Sequence, residues 1–275
     1  TGAIGQIVMG RDWWKKFFNI HAAEVMFDLQ NRPTKDEVKQ ILKQTQLKKG
    51  AFVLDLACGL GRHSIEFAKQ GMNVTGLDYS QEYVRRAKHE VNSAKVQSKV
   101  KIIRGDMRNL SHHFEPEQFD MVVSLFNSFG YFDKRSDDIK VLKEVSRVLK
   151  PGGLLVLNTL NREGVEARLC HVPQQMNLDG FYVWKEPKPK YFVLDKASYN
   201  KKKQRTQCQW ILVDNRKDKS RVLRLGFGQN VYSHRDFKNL LRPLDLQVKK
   251  LWGRLSGESF SKKKSWHQTF VARKN

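Results

Sequence analysis

Two aspartates punctuate two neighbouring apolar runs, and a glycine turn lies between them. Phe52-Val53-Leu54-Asp55-Leu56-Ala57 leads into Cys58-Gly59-Leu60-Gly61. Asn73-Val74-Thr75-Gly76-Leu77-Asp78 closes on Asp78, 23 residues after Asp55. Glycines after a strand let the backbone turn tightly and approach a ligand that a Cβ would block. A carboxylate at the end of the next strand can accept both hydroxyls of a ribose. Together they fit an adenosine-type cofactor. A dinucleotide fingerprint would want glycine at position 64, which is Ser64, and the turn carries no Gly-Lys-Ser/Thr phosphate loop. Asp55 separates the readings further. A carboxylate there would repel a pyrophosphate, but it can hold the ammonium of a methionine-type cofactor, which carries a sulfonium and no phosphate.

Two later motifs extend the set. In Arg104-Gly105-Asp106-Met107, Asp106 can accept from an adenine amino group while Met107 packs on the ring. Leu125-Phe126-Asn127-Ser128-Phe129-Gly130-Tyr131-Phe132 follows an apolar run beginning at Phe119 and supplies an aromatic wall. Each feature has a plainer reading. Asp55 and Asp78 could cap helices or pair with lysines, Cys58 could be a small buried filler, and the loop aromatics could be core. His112-His113 and Cys170-His171 lack a second ligand pair at zinc spacing, so no metal site is expected.

The elements that must position these residues alternate in the first half. Strands are expected at 52–57, 73–78, 100–104, 119–125 and 154–157, with helices at 62–70, 81–95 and 136–149. Ser80 and Ser136 start the second and third helices, and Pro151-Gly152-Gly153 turns the chain into the fifth strand. Such alternation means a parallel sheet covered on both faces, with ligands at its carboxyl edge. The second half reads differently. Segments 191–199, 204–214 and 221–230, separated by polar turns, form an antiparallel meander. A helix from Ser233 to Leu241 and strands near 246–251 and 266–271 return to the first sheet. The expected fold is α/β, a Rossmann-like seven-stranded sheet with an antiparallel β insertion after the fifth strand.

With these motifs in order, the chain resembles the class I S-adenosylmethionine-dependent methyltransferases, and within them a subgroup with a CGxGRHS turn and a TSFGYF-like loop. The resemblance rests on Val53 to Ser64, Gly76-Leu77-Asp78-Tyr79-Ser80, Arg104-Gly105-Asp106-Met107-Arg108 and Asn127 to Phe132. It is strong over about residues 50–160 and weaker afterwards. It implies S-adenosyl-L-methionine as cofactor and S-adenosyl-L-homocysteine as product. Asp55, Gly59 and Gly61 would meet the methionine moiety, Asp78 the ribose, and Asp106 with Met107 the adenine. Ala57, Arg62, Tyr79, Leu125 and Asn127 complete the expected cofactor-binding set. The reaction would be in-line displacement at the sulfonium methyl by an N, O or C nucleophile. If that nucleophile needs a base, His63 and Tyr131 are the candidates. Two departures from the subgroup pattern stand out: Ala57 replaces a usual first glycine, a change expected to be tolerated, and Asn127 stands where threonine is common. The domain reading is an N-terminal helical lid over 1–50, a cofactor-binding core over 51–160, and the β elaboration with the last helix and strands over 161–275.

The chain has 275 residues with 40% hydrophobic content, enough for a sizeable core, and no apolar run long enough to span a bilayer. Three widely spaced cysteines and the absence of an opening signal peptide lead to a cytoplasmic expectation. The formal net charge is +23, and residues 161–275 carry 26 basic against 10 acidic side chains. That field attracts polyanions whatever the fold. A small-molecule acceptor is nevertheless favoured, because the loop after the fourth strand lacks an Asn/Asp-Pro-Pro-Tyr/Phe base-methylation motif. The alternatives are a nucleic-acid methyltransferase using the basic C-terminal part and a non-catalytic cofactor-binding protein. Oligomeric state is left open.

Overall fold

The computed structural model describes residues 12–18, 33–171, 180–216 and 220–275. A short helix α1 (Trp14–Phe17) and helix α2 (Thr34–Thr45) precede the alternating half. That half runs β1 (Phe52–Leu56), α3 (Arg62–Lys69), β2 (Asn73–Asp78), α4 (Gln81–Ser93), β3 (Val100–Arg104), β4 (Phe119–Ser124), α5 (Arg135–Val148) and β5 (Leu149–Leu160). After α6 (Arg162–Glu166) come β6 (Phe181–Lys188), β7 (Tyr191–Asn200), β8 (Arg205–Asp214) and β9 (Arg221–Asn230). Helix α7 (His234–Leu241), β10 (Leu246–Trp252) and β11 (His267–Lys274) close the fold.

The strands form one seven-stranded sheet, in order β10-β11-β5-β4-β1-β2-β3, and one four-stranded sheet, β6-β7-β8-β9. Strands β1 to β5 pair in parallel, while β11 runs antiparallel between β5 and β10. The order reverses between β1 and β4, which opens a crevice at the carboxyl edge where ligands of such sheets bind. Both faces of the large sheet are covered. Val38 and Ile41 of α2, Phe67 of α3 and Ala87 and Val91 of α4 are buried on one face. Val141, Leu142 and Val145 of α5 and Phe237 and Leu241 of α7 are buried on the other.

Local chemistry sets the ends of several elements as expected. Ser80 accepts from the Tyr83 backbone N–H and caps α4. Ser233 and Asp236 make a reciprocal capping box at α7. Other boundaries differ. Helix α5 begins at Arg135, with Lys134 rather than a serine at its cap. Strand β5 starts at Leu149, and Pro151-Gly152-Gly153 bulges out within it, shifting the register between Phe119 and Met121 of β4. The meander has a fourth strand, β6, whose Lys-Glu-Pro-Lys end masks the apolar alternation. No helix among the described residues is long and apolar enough to cross a membrane.

Candidate cofactor and acceptor site

The carboxyl ends of β1, β2, β3 and β4 surround a cavity of about 920 Å³ of empty space, its mouth included. Asp55 enters it from β1 and is 2% exposed, accepting from Ser64 Oγ at 2.6 Å. Asp78 ends β2. Its two oxygens accept from the backbone N–H groups of Gly59, at 2.9 Å, and of Ser80, at 2.8 Å. The carboxylate therefore ties the glycine turn to the start of α4. Burial pushes the Asp55 carboxyl up to about 7 and the Asp78 carboxyl up to about 6.

The turn itself uses the left-handed region at Ala57 (φ 54°), Gly59 (φ 58°) and Gly61 (φ 79°). Alanine at the first of these costs about 1–2 kcal/mol relative to a relaxed conformation, which the hydrogen-bonded turn tolerates. Gly61 is absent from the cavity lining. Its missing Cβ would lie 3.4 Å from Ala87 Cβ, so its place is in the packing of turn against α4.

Arg62 and His63 begin α3 and line the cavity, yet both are engaged behind it. Arg62 Nη1 donates to Glu37 Oε2 and to Thr34 Oγ1, each at 2.7 Å, and His63 Nε2 lies 2.9 Å from the same Glu37 oxygen. Burial works against the Glu37 charge, but the His63 hydrogen bond and the Arg62 guanidinium hold its carboxyl down to about 2. With Nε2 committed to Glu37, His63 holds α3 against α2. Tyr131 also lines the cavity, its ring edge-on to Trp13 at 5.5 Å and to Phe18 at 5.3 Å. Burial pushes its phenol up, so it offers a hydroxyl donor rather than a base.

Tyr79, Asp106, Met107 and Leu125 line the cavity as expected from the sequence, joined by Trp14, Phe18, Tyr83, Phe126 and Phe132. Asn127 does not. It turns behind the loop, its Nδ2 3.1 Å from His267 Nε2 and its backbone N–H on Asn158 O. Phe126 (φ 56°) and Asn127 (φ 60°) are consecutive left-handed residues, uncommon for side chains of this size. The inserted sheet holds them there. Gln229 Nε2 donates to Asn127 O and Phe129 O, and Asn230 Nδ2 to Phe132 O. Arg205 Nη1 reaches Phe132 O at 2.7 Å. No local pattern signals Glu37, Arg205, Gln229 or Asn230, because each acts on a partner 25 to 102 residues away.

Gly130 tests this clamp. It has φ 98°, and a Cβ would meet Asn230 O at 2.5 Å. Gly130→Ala is expected to cost about 2–4 kcal/mol, combining backbone strain with a clash against rigid backbone. Thermal unfolding should shift down by about 4–7 °C.

The site has the chemistry for a nucleoside that carries positive charge. Buried carboxylates stand at both ends of the turn, the partly buried Asp106 adds a third, and the one arginine of the lining, Arg62, is ion-paired with Glu37. A protonated Asp55 or Asp78 would be a poorer partner for an ammonium or a ribose, so affinity for such a ligand should fall as pH drops from about 7.5 to 5.5. Without ligand the sign reverses: a carboxyl raised by burial binds its proton in the folded state first, so these two groups favour folding as pH falls toward 5. Calorimetric titrations and melts across this range check both slopes.

Residues 53–153 match the family model described as "Methyltransferase domain". The putative methyltransferase YqeM of Bacillus subtilis is 35% identical over 136 residues, which are 50% of this chain and 53% of that protein. The chain thus spans about half the length of the curated relatives it matches. Among solved structures, an S-adenosylmethionine-dependent methyltransferase from Clostridium acetobutylicum superposes with a TM-score of 0.73 at 18% identity, covering 94% of this chain and 98% of that one. CalS10, an amino pentose methyltransferase from Micromonospora echinaspora solved with S-adenosylmethionine bound, gives 0.64 at 18% identity, covering 93% and 96%. The chain therefore has the Rossmann-like fold of the class I methyltransferases, and the matched segment, residues 53–153, supplies most of the cavity lining.

Proposed function

We propose that the protein is an S-adenosyl-L-methionine-dependent methyltransferase acting on a small acceptor that is neutral or carries an amine, and that it belongs to the subgroup with the CGxGRHS turn. The observation that carries the reading is the pair of buried carboxylates, Asp55 and Asp78, joined through the Gly59 turn at the mouth of one cavity. When bound, the cofactor supplies an electrophilic methyl on a sulfonium. Asp55 would take its ammonium, directly or through water. Asp78 would accept the ribose hydroxyls with the lone pairs that Gly59 and Ser80 leave, and Asp106 would accept from the adenine amino group. Alignment and water exclusion are then the protein's main contributions to an in-line displacement.

The walls support this acceptor class. The chain is strongly basic, but the one arginine of the lining, Arg62, is ion-paired with Glu37 through Nη1, and the His63 imidazole sits on the same carboxylate. Trp14, Phe18, Phe126, Tyr131 and Phe132 make the remainder an aromatic chamber. Such a chamber suits a small amine or apolar body better than a polyanion, and an amine with a free lone pair needs no strong base. CalS10, named for an amino pentose, fits the same class. In this reading residues 1–50 serve as lid, 51–160 as core and 161–275 as the elaboration that fixes the aromatic loop. The described part of the lid is consistent with that role: Trp14 and Phe18 line the cavity, and Ser80 Oγ donates to Phe18 O at 2.8 Å. The three free cysteines fit a cytoplasmic setting.

Radiolabelled methyl transfer tests the assignment. Label should pass to components of a small-molecule extract, amines foremost, and not to purified RNA or DNA. Labelling of RNA that disappears when Lys201, Lys202, Lys203, Lys262, Lys263 and Lys264 are changed to glutamine would favour a nucleic-acid acceptor instead. Cofactor binding without turnover on any acceptor would indicate a non-catalytic protein.

A further inference from the structure

Arg108 lies two residues beyond Asp106. Its backbone N–H donates to Asp106 Oδ1 at 2.9 Å. Its Nε lies 3.1 and 3.2 Å from the two Asp106 oxygens, and its Nη2 donates to Oδ2 at 2.7 Å. The remaining arm, Nη1, reaches Asp137 Oδ2 in the first turn of α5 at 3.2 Å. The guanidinium carbon also lies over two rings, 4.5 Å from the Phe132 centroid and 5.3 Å from that of Trp14. Trp14 in turn packs edge-on against Tyr79 at 4.6 Å and Phe132 at 5.5 Å. One side chain thus joins the end of β3, the start of α5, the aromatic loop and α1.

A carboxylate has about four lone-pair sites, and three Arg108 hydrogens, the Nε one shared by both oxygens, leave one for a further donor. A planar guanidinium fork fixes the plane of its partner in a way a lysine ammonium does not. An acceptor held in one orientation loses little freedom on binding, and it rejects a ligand that presents another acceptor in the donor's place. We propose that Arg108 is the positioning residue for nucleobase selectivity, locking the Asp106 carboxylate so that it accepts a purine 6-amino group and refuses a 6-oxo group. Asp106 touches the base, and Arg108 acts through it. This rests on the methyl-donor reading above.

The test is a ratio of affinities. S-adenosylhomocysteine and its 6-oxo analogue, S-inosylhomocysteine, are titrated calorimetrically into the wild-type protein, Arg108→Gln and Arg108→Lys. The wild type should prefer the amino ligand by about a hundredfold. Arg108→Gln should bring that preference to about tenfold or below, and Arg108→Lys, which keeps the charge but loses the fork, should fall between. If Arg108→Gln does not fold, the Arg108→Lys ratio decides. Equal weakening of both ligands, with the wild-type ratio retained, would mean that Arg108 only holds α1 and the loop in place, and the proposal fails. Failure of the wild type to bind either ligand would remove the methyl-donor reading itself, a separate outcome.

Discussion

Replacing Gly59 by valine is expected to abolish binding of S-adenosylmethionine and its demethylated product while the protein still unfolds in one cooperative transition. Gly59 has φ 58°, and its N–H donates to Asp78 Oδ2 at 2.9 Å. A β-branched residue strongly resists that conformation, and its two methyls would occupy the space the ligand needs. Moving the backbone to relieve the strain would pull the N–H off Asp78 and leave the carboxylate held by Ser80 alone. The fold should survive, because the turn lies at the carboxyl edge of the sheet and most of the two large apolar clusters lies away from it. Calorimetry gives the affinity and circular dichroism the melt. Normal affinity in this variant would show that the ligand does not approach the turn.

The second large effect is at Asp78. Asp78→Ala removes the acceptor proposed for two ribose hydroxyls, and charge-assisted hydrogen bonds contribute about 1.5–3 kcal/mol. Affinity should fall by roughly ten- to a hundredfold. The variant also leaves the Gly59 and Ser80 N–H groups without their acceptor, which destabilises the turn. Deleting a carboxylate raised by burial offsets part of that cost near neutral pH and above, where the native side chain is forced to ionise. The net change in the melt should therefore be small beside the change in affinity. A lowered melting point with unchanged affinity would make Asp78 a structural residue.

The alternating half of the fold was readable because each β-strand is a short apolar run and each turn carries its own chemistry. Asp55, Gly59 and Asp78 could be placed in one site for the same reason: the strand–turn–helix geometry brings their positions together. What the sequence conceals depends on distant partners. Asn127 looks like a cavity residue by position, yet its left-handed φ and its contacts with His267 and Asn158 turn it behind the loop. His63 gains a partner that no local pattern announces, because α2 brings Glu37 against its Nε2. Strand β6 is hidden by charge and proline, since an edge strand can expose Trp184 and Lys185 and still pair with β7. The net charge of +23 points toward polyanions, whereas the cavity's own arginine, Arg62, is paired with Glu37.

The central claim is that one cavity, bounded by Asp55, the Gly59 turn, Asp78 and Asp106, holds S-adenosylmethionine. Isothermal titration of the wild-type protein with S-adenosylhomocysteine, beside a parallel titration with NADH, tests it most directly. The expected result is one site of micromolar affinity, about −8 kcal/mol, for the sulfur compound and no heat with the dinucleotide. Binding of NADH with no binding of S-adenosylhomocysteine would contradict the account.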